Sequence, residues 1–302
     1  MKKNTIYFLI VLMTVSFVVQ AKGLFQELIP GQNQRGNQRI NLIFDCRGMT
    51  VAENAVCLKK IPWILSLDTD HVFFYSKSGL KKAGLFQIEP FKSNADHFNF
   101  WFVQRTQDNP AEGRCGSDPL AEHVPFSNAI LVSLCNMNSM PSHATLLLNV
   151  LHNKNRKNAK VIGEIFMTAR NGAVPPVMAY NFDHEMGHAL GGLSDEDKKQ
   201  GGFFPNCAPS MEAANRWWKK TGLVPQNVQF VQGCKDNASV IAYDNTIMKG
   251  GGFNTSDVAV EDYYSPVHKY WICKNIFDLT GAVQGACRHF EKFGLDRPLY
   301  SP

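Results

Sequence analysis

One motif constrains the fold of this 302-residue chain more than any other feature: residues 184–188 read HEMGH, an HExxH sequence. On an α-helix, residues four apart lie on one face, so the imidazoles of His184 and His188 can reach a single ion. Glu185 lies on the same side, where its carboxylate can hydrogen-bond a water held by that ion. These groups predict a zinc ion, which takes three protein ligands and keeps one open position in catalytic sites.

The residues around the motif favour a helix that ends a few residues after it. Apolar residues at helical spacing predict its buried faces, and these are Met178, Ala179, Phe182, Met186, Ala189 and Leu190. Gly191 and Gly192 then end the helix, as glycine commonly does at helix C-termini. The chain can therefore turn back towards the histidines directly after the motif.

The third zinc ligand is expected in the acidic segment that follows this turn. In the metzincin pattern, HExxHxxGxxH or HExxHxxGxxD, the glycine allows the turn back to the metal. Gly191 occupies the glycine position, but the ligand position falls on Ser194, which is a poor zinc ligand. One extra residue in the turn brings Asp195 to the metal, and Asp195 is the ligand that we predict. Glu196 is one alternative, and Glu212 is the other if the ligand comes from a later helix.

A methionine and three tyrosines downstream of the motif are further candidates for the site. Met248 follows His188 by 60 residues, and a methionine in a tight turn beneath the ligands is the second mark of the metzincins. Tyr243, Tyr263 and Tyr264 flank this turn and are candidate hydrogen-bond donors to a transition state, with a structural role as the alternative. Surface or core positions are predicted for the other histidines, which lack ligand spacing: His71, His97, His123, His143, His152, His268 and His289.

The start of the chain and its cysteines both predict export. Two lysines, an apolar run over residues 6–19 and small residues before position 22 predict a signal peptide over residues 1–21. The mature protein would then be periplasmic or secreted, without a stable membrane anchor. The eight cysteines include no CxxC pair, which favours disulfides in an oxidising compartment. We expect sequence neighbours to pair, as Cys46–Cys57, Cys115–Cys135, Cys207–Cys234 and Cys273–Cys287.

The mature chain is expected to form one domain after a short leader. Residues 22–38 are polar and dotted with glycine, which predicts a flexible leader, and no internal repeat or linker divides residues 39–302. Apolar runs predict strands at residues 40–45, 97–103, 129–134, 144–151 and 161–168. Helices are predicted at residues 51–65, 210–219 and 266–278. The pattern indicates a sheet-rich N-terminal half and an irregular, cysteine-containing C-terminal half.

The segment from His184 to Glu196, HEMGHALGGLSDE, resembles the bacterial IgA-specific zinc metallopeptidase family, whose motif reads HEFGHSFGGLADEY. Weaker similarities extend the resemblance over most of residues 40–275, and they lie at residues 205–207, 217–218, 233–234 and 265–268. The resemblance implies an α/β fold of the zincin, metzincin-like type: a twisted, mostly parallel sheet, an active-site helix and an irregular C-terminal subdomain with a Met-turn. Asp197 departs from the family's tyrosine, and the stretch before Met248 lacks its Arg-Pro element.

These features predict an exported zinc endopeptidase that acts on protein or peptide substrates. Zinc held by His184, His188 and Asp195 would activate a water, with Glu185 as the general base. The formal charge of +5 is not concentrated in any block, so charge does not support a nucleic acid or a membrane surface as a partner. The alternatives are an exported non-catalytic binding protein on a zincin scaffold and a zinc hydrolase of cell-wall amide bonds.

Overall fold

The computed structural model of the chain shows an α/β fold, with the main sheet in the N-terminal half and most of the helical residues in the C-terminal half. The residues that it describes are 24–29, 33, 38–47, 57–58, 61–62, 64–65, 73–74, 81–82, 84–104, 124–136, 161–169, 175–196, 204–234, 239–243, 246–248, 264–297 and 299. The predicted signal peptide over residues 1–21 and the predicted strand over residues 144–151 lie outside this set.

A five-stranded, mostly parallel sheet forms the centre of the fold, which confirms the predicted class. The strands are β1 (Phe25–Glu27), β2 (Ile40–Arg47), β3 (Phe73–Phe74), β4 (Lys81–Lys82), β5 (Phe98–Val103), β6 (Ala129–Asn136), β7 (Val161–Ala169), β8 (Val231–Gln232) and β9 (Val240–Ile241). The main sheet has the order β1-β5-β2-β6-β7, while β3 pairs with β4 and β8 with β9. Within the main sheet, β2, β5, β6 and β7 are parallel, and β1 runs antiparallel to β5.

The helices agree with the sequence pattern where the structure describes them. They are α1 (Pro175–Gly191), α2 (Met211–Ala214), a π-helical turn (Asn215–Lys219), α3 (Pro266–Thr280) and 3₁₀ segments at Leu85–Gln87, Lys92–His97 and Gly285–Phe293. Of the predicted helix over residues 51–65, the described positions are helical. In the described part of the chain, no helix is both long and apolar enough to cross a membrane.

The central strands are buried on both faces, which explains their nearly continuous apolar sequence. On β2, the side chains of Ile40, Leu42 and Phe44 belong to the large hydrophobic core, to which buried residues of α1 and α3 also belong. The side chain of Ile43 points to the opposite face and joins a smaller cluster with Leu131 of β6. Both faces of the sheet are therefore packed, and the larger core lies on the side of α1 and α3.

Helix α1, which carries the HExxH motif, is held by the sheet on one side and by α3 on the other. The ring of Phe182 on α1 lies 5.9 Å from that of Phe44 on β2. Asn275 of α3 donates a side-chain hydrogen bond of 2.6 Å to the main-chain oxygen of Leu190. This bond satisfies one of the carbonyls that the last turn of a helix leaves without a partner. The motif therefore sits on a rigid support.

Part of the predicted leader over residues 22–38 lies along the edge of the main sheet. Residues 25–27 form β1 along the edge of β5, and Phe25 is buried with its ring 5.7 Å from that of Phe126. Farther along the leader, the Asn33 side chain donates to the Phe100 oxygen at 2.9 Å and accepts from the Phe100 nitrogen at 2.8 Å. The edge of β5 offers main-chain groups that need partners, and the leader supplies them.

Three of the four predicted disulfides are confirmed. Cys46 on β2 pairs with Cys57, Cys207 pairs with Cys234, and Cys273 on α3 pairs with Cys287. Cys115 lies outside the described residues, as does the side chain of Cys135. Sequence separations of 11, 27 and 14 residues show that each confirmed bridge closes a local loop.

A valine at Gly163 is expected to destabilise the fold by pushing α1 away from the sheet. A Cβ added at this position of β7 would lie 3.3 Å from the Cβ of Ala189 on α1. Overpacking at such a contact costs about 1–3 kcal/mol. The free energy of unfolding in urea measures the effect. Val161→Ile enlarges a half-buried position on the other face and should change stability by no more than about 0.5 kcal/mol; equal losses in the two variants would contradict the close approach.

Candidate metal centre

The two histidines of the motif lie on one face of α1 and meet at their Nε2 atoms. The side chains of His184 and His188 are buried, and their rings are nearly perpendicular with centroids 4.7 Å apart. Their Nε2 atoms are separated by 3.0 Å. This arrangement follows from the helix, because residues i and i+4 are stacked on one face.

A left-handed turn after α1 brings Asp195 to the histidines. Gly192 has a φ of 63°, which favours glycine, and its N–H donates to the His188 carbonyl at 3.0 Å. The turn is therefore one residue longer than in the metzincin pattern, as the sequence suggested, because it brings Asp195 and not Ser194 to the imidazoles. One carboxylate oxygen of Asp195, Oδ1, lies 2.9 Å from His184 Nε2 and 3.3 Å from His188 Nε2. The three side chains form a buried group that could hold a metal ion.

Main-chain carbonyls set the orientation of both imidazoles. The Nδ1 atom of His184 is 2.8 Å from the Ile247 oxygen, and that of His188 is 2.6 Å from the Leu193 oxygen. A carbonyl oxygen only accepts hydrogen bonds, so each Nδ1 carries the proton. In the neutral ring, Nε2 then presents a lone pair to the common point. Such outer hydrogen bonds are typical of metal-binding histidines, whose tautomer they fix.

The chemistry of these donors fits a bound cation. Two imidazole lone pairs and one carboxylate oxygen converge within 4.8 Å of one another. Acceptor atoms repel one another at this separation in a buried site unless a positive charge lies between them. Imidazole nitrogen and carboxylate oxygen are ligands of zinc and of other first-row divalent metals. The group therefore fits a metal ion with its side chains in their present positions.

Without a metal ion, a proton provides the positive charge. Burial alone lowers the pKa of His184, but the hydrogen bond and charge of Asp195 and the charge of Glu185 outweigh it, so this pKa is raised. Burial alone raises the pKa of Asp195, and the hydrogen bonds and charges of both histidines outweigh it, so this pKa is lowered. A metal ion and protons therefore compete for the same atoms.

Two further residues surround the histidines: Glu185, which lies on α1 itself, and Met248, which packs against α1 from the turn over residues 246–248. Glu185 is buried beside His184, whose pKa its charge raises. Met248 is fully buried in the turn over residues 246–248. Its Sδ atom lies 2.5 Å from the point where a Cβ at Gly187 would be placed. The methionine is thus packed directly against α1 between His184 and His188.

The other candidate ligands are turned away from the imidazoles. The Glu196 carboxylate is buried, and it accepts hydrogen bonds from Asn206, Thr246 and His268. Glu212 is exposed in the first turn of α2. No spacing in the sequence links these three partners of Glu196 to the motif. Asn206 and His268 lie in the segments 205–207 and 265–268, and the similarity of these segments to the metallopeptidase family was the available signal.

The three candidate tyrosines have different outcomes. Tyr264 is buried, and its hydroxyl donates to the main-chain oxygen of Asp183 on α1, which favours the structural alternative for this residue. Tyr243 packs half-buried against the core, and burial raises the pKa of its hydroxyl. The role of Tyr243 stays a prediction. Tyr263 lies outside the described residues.

Comparison with known proteins does not place the chain in a family. No protein-family model matches it, and no curated protein matches it. The resemblance to the zinc metallopeptidases therefore rests on the residues of the motif.

The stability of the protein is expected to respond to pH in opposite ways with and without metal. Because the pKa of His184 is raised above 6.5 in the metal-free fold, its proton stabilises that fold, and this stability is lost as the pH rises through the raised pKa. With metal bound, protons compete for the imidazoles, so stability increases with pH. Thermal unfolding above pH 6.5, with chelator and with excess metal, measures both slopes.

His184→Gln is the control for these slopes, because in chelator it should lose the decrease in stability. Burial lowers the pKa of His97, so this residue makes the stability increase with pH. Its effect is confined to pH values below its ordinary pKa of 6.5. The measurement above that pH therefore reports on His184. Equal slopes with chelator and with metal would contradict a shared cation site.

Alanine at Gly187 is expected to destabilise the protein by displacing Met248. The added Cβ would lie 2.5 Å from Met248 Sδ and 3.2 Å from a ring carbon of Tyr264, and overpacking of this kind costs about 1–3 kcal/mol. The free energy of unfolding measures the loss. Adding Met248→Ala removes the clashing sulfur, so the double variant should be more stable than the sum of the single effects predicts. Strict additivity would show that the two residues are not in contact.

Proposed function

We propose that the protein is an exported zinc endopeptidase with a metzincin-like fold. The observation that carries the proposal is the convergence of His184, His188 and Asp195 in one buried group, with Glu185 beside it on the same helix. An HExxH helix supported by a sheet, a glycine turn to a third ligand and a buried methionine below the helix are together typical of metzincins. The similarity of residues 184–196 to bacterial zinc metallopeptidases supports the same conclusion.

Zinc is the proposed ion, and His184, His188 and Asp195 would hold it. When bound, it lowers the pKa of a water and polarises the carbonyl of the scissile peptide bond. The first contribution of the chain itself to catalysis would be the total charge of these three ligands. Because two of these ligands are neutral imidazoles and only one is a carboxylate, a bound divalent ion would keep a net positive charge, which would stabilise the oxyanion that develops in the transition state.

Glu185 would move the proton during hydrolysis. Its carboxylate accepts a proton from the attacking water while the water oxygen forms a bond to the carbonyl carbon. The C–N bond then breaks, and Glu185 delivers the same proton to the leaving amine nitrogen. Burial of Glu185 keeps this transfer away from bulk solvent.

The disulfides support the exported location. Three bridges lie in the described part of the chain, and disulfides persist in oxidising compartments outside the cytosol. The predicted signal peptide over residues 1–21 is consistent with this location. The substrates would then be proteins or peptides in the periplasm or the surrounding medium.

Glu185→Gln is expected to abolish hydrolysis while it leaves the fold and the bound metal intact. Gln has nearly the same shape but cannot accept the proton of the water, and loss of a general base typically lowers the rate about 10²- to 10⁴-fold. Cleavage of unfolded casein should also stop in chelator and return when zinc is added. The metal content of each variant, measured by mass spectrometry, accompanies the rates.

Glu212→Gln is the matched control, because this exposed carboxylate lies outside the metal group, and it should cleave at the wild-type rate. Undiminished cleavage by Glu185→Gln would refute the proposed mechanism. A wild-type protein that binds zinc but cleaves only peptidoglycan fragments would identify a cell-wall amide hydrolase, and one that cleaves neither substrate would indicate a binding protein.

A further inference from the structure

We infer that Glu196 is a positioning residue, which holds Asp195 in place for metal binding. The inference rests on the metal site of the proposed function. It assigns metal binding to the carboxylate of Asp195 and the positioning of Asp195 to the carboxylate of Glu196. Asp195 and Glu196 are neighbours in the chain, but only Asp195 contacts the imidazoles. Glu196 points away from them into a set of buried hydrogen-bond donors.

The Glu196 carboxylate is bound at both oxygens. It is 2% exposed. Its Oε1 accepts from Asn206 Nδ2 at 3.2 Å and from His268 Nε2 at 2.8 Å, and its Oε2 accepts from Thr246 Oγ1 at 2.7 Å. These donors lie 10, 72 and 50 residues away in the chain. Glu196 therefore joins three separate segments at the position next to the ligand.

The capping of α3 determines which nitrogen of His268 carries the proton. The His268 Nδ1 atom accepts from the main-chain N–H of Ser265 at 3.3 Å. In a neutral ring Nδ1 is then the acceptor and Nε2 the donor, so the proton on Nε2 faces Glu196. His268 is almost fully buried. The start of α3 is thereby connected to residues 192–196, the ligand loop, by a hydrogen bond of defined direction.

The main chain on both sides of Asp195 is held as well. The N–H of Glu196 donates to the Met248 oxygen at 2.9 Å, and its carbonyl accepts from the N–H of Cys234 at 2.8 Å. On the other side, the Asn206 side chain accepts from the Ser194 N–H at 2.8 Å and donates to the Ser194 carbonyl at 2.9 Å. Asp195 is thus held between two anchored residues, and its side chain has little freedom to leave the imidazoles.

This arrangement lowers the cost of binding a metal ion, because the third ligand is already in place before the ion arrives. Outer-shell partners of metal ligands typically contribute about 10- to 100-fold in metal affinity. Glu196→Ala removes all three side-chain bonds of the anchor. We therefore expect Glu196→Ala to bind zinc about 10- to 100-fold more weakly than wild type. Competition with a coloured chelator, well below the unfolding temperature, measures the affinity.

Two further readouts separate positioning from a general loss of stability. The visible absorption of bound cobalt reports coordination, and it should change in Glu196→Ala because Asp195 is no longer held. Glu196→Gln should recover most of the affinity, since its oxygen can accept from His268 and its amide can donate to the Thr246 hydroxyl. Thr246→Val removes only the hydrogen bond from the Thr246 hydroxyl to Glu196. If Glu196→Ala does not fold, the zinc affinity of Thr246→Val tests the positioning role of Glu196.

Ile276→Ala and Glu212→Ala are the controls. Ile276 is fully buried on α3, so its truncation lowers the unfolding temperature, while its apolar side chain forms no hydrogen bond that could hold Asp195. Both variants should keep wild-type zinc affinity and cobalt absorption. Wild-type zinc affinity in both Glu196→Ala and Thr246→Val would overturn the inference, as would an equal loss of zinc affinity in Ile276→Ala.

If wild-type protein binds zinc without cleaving any substrate, the proposed function fails while the zinc affinities of the variants still decide the role of Glu196. If it binds no metal, both fail.

Discussion

Three hydrogen-bond acceptors that converge in a buried volume are the constraint on which the site depends. His184 and His188 donate their Nδ1 protons to main-chain carbonyls and so present lone pairs to Asp195. That geometry is unfavourable unless a cation or a proton lies between the three atoms. The surrounding fold can be understood as the structure that holds these atoms together against their mutual repulsion.

The holding structure is built from the turn over residues 246–248 and the carboxylate of Glu196. Ile247 orients one imidazole, Met248 packs under the helix at Gly187, and Thr246 binds Glu196. Three consecutive residues thus contact either α1 or the ligand loop. The proposed hydrolase mechanism requires this rigidity, because catalytic groups act only when they are held in the productive geometry.

Much of the fold follows from local sequence patterns, and the exceptions have physical reasons. Strands β2, β5, β6 and β7 are recognisable as apolar runs because both faces of the sheet are covered. Strand β1 was missed because Phe25–Glu27 is too short to show a pattern, and it becomes ordered by pairing with the edge of β5. The disulfide pairs at residues 46–57, 207–234 and 273–287 agree with the expectation that sequence neighbours pair, but eight cysteines allow 105 pairings and the sequence alone does not choose among them.

The sequence by itself determined the pair of imidazoles and the neighbouring carboxylate of Glu185, because the periodicity of one helix places residues four apart on one face. It also reduced the candidates for the third, acidic group to Asp195, Glu196 and Glu212. Only the tertiary structure decided that Asp195 faces the imidazoles and Glu196 faces away. That choice depends on Asn206, Thr246 and His268, whose positions relative to Glu196 are set by packing between distant segments and not by any local spacing.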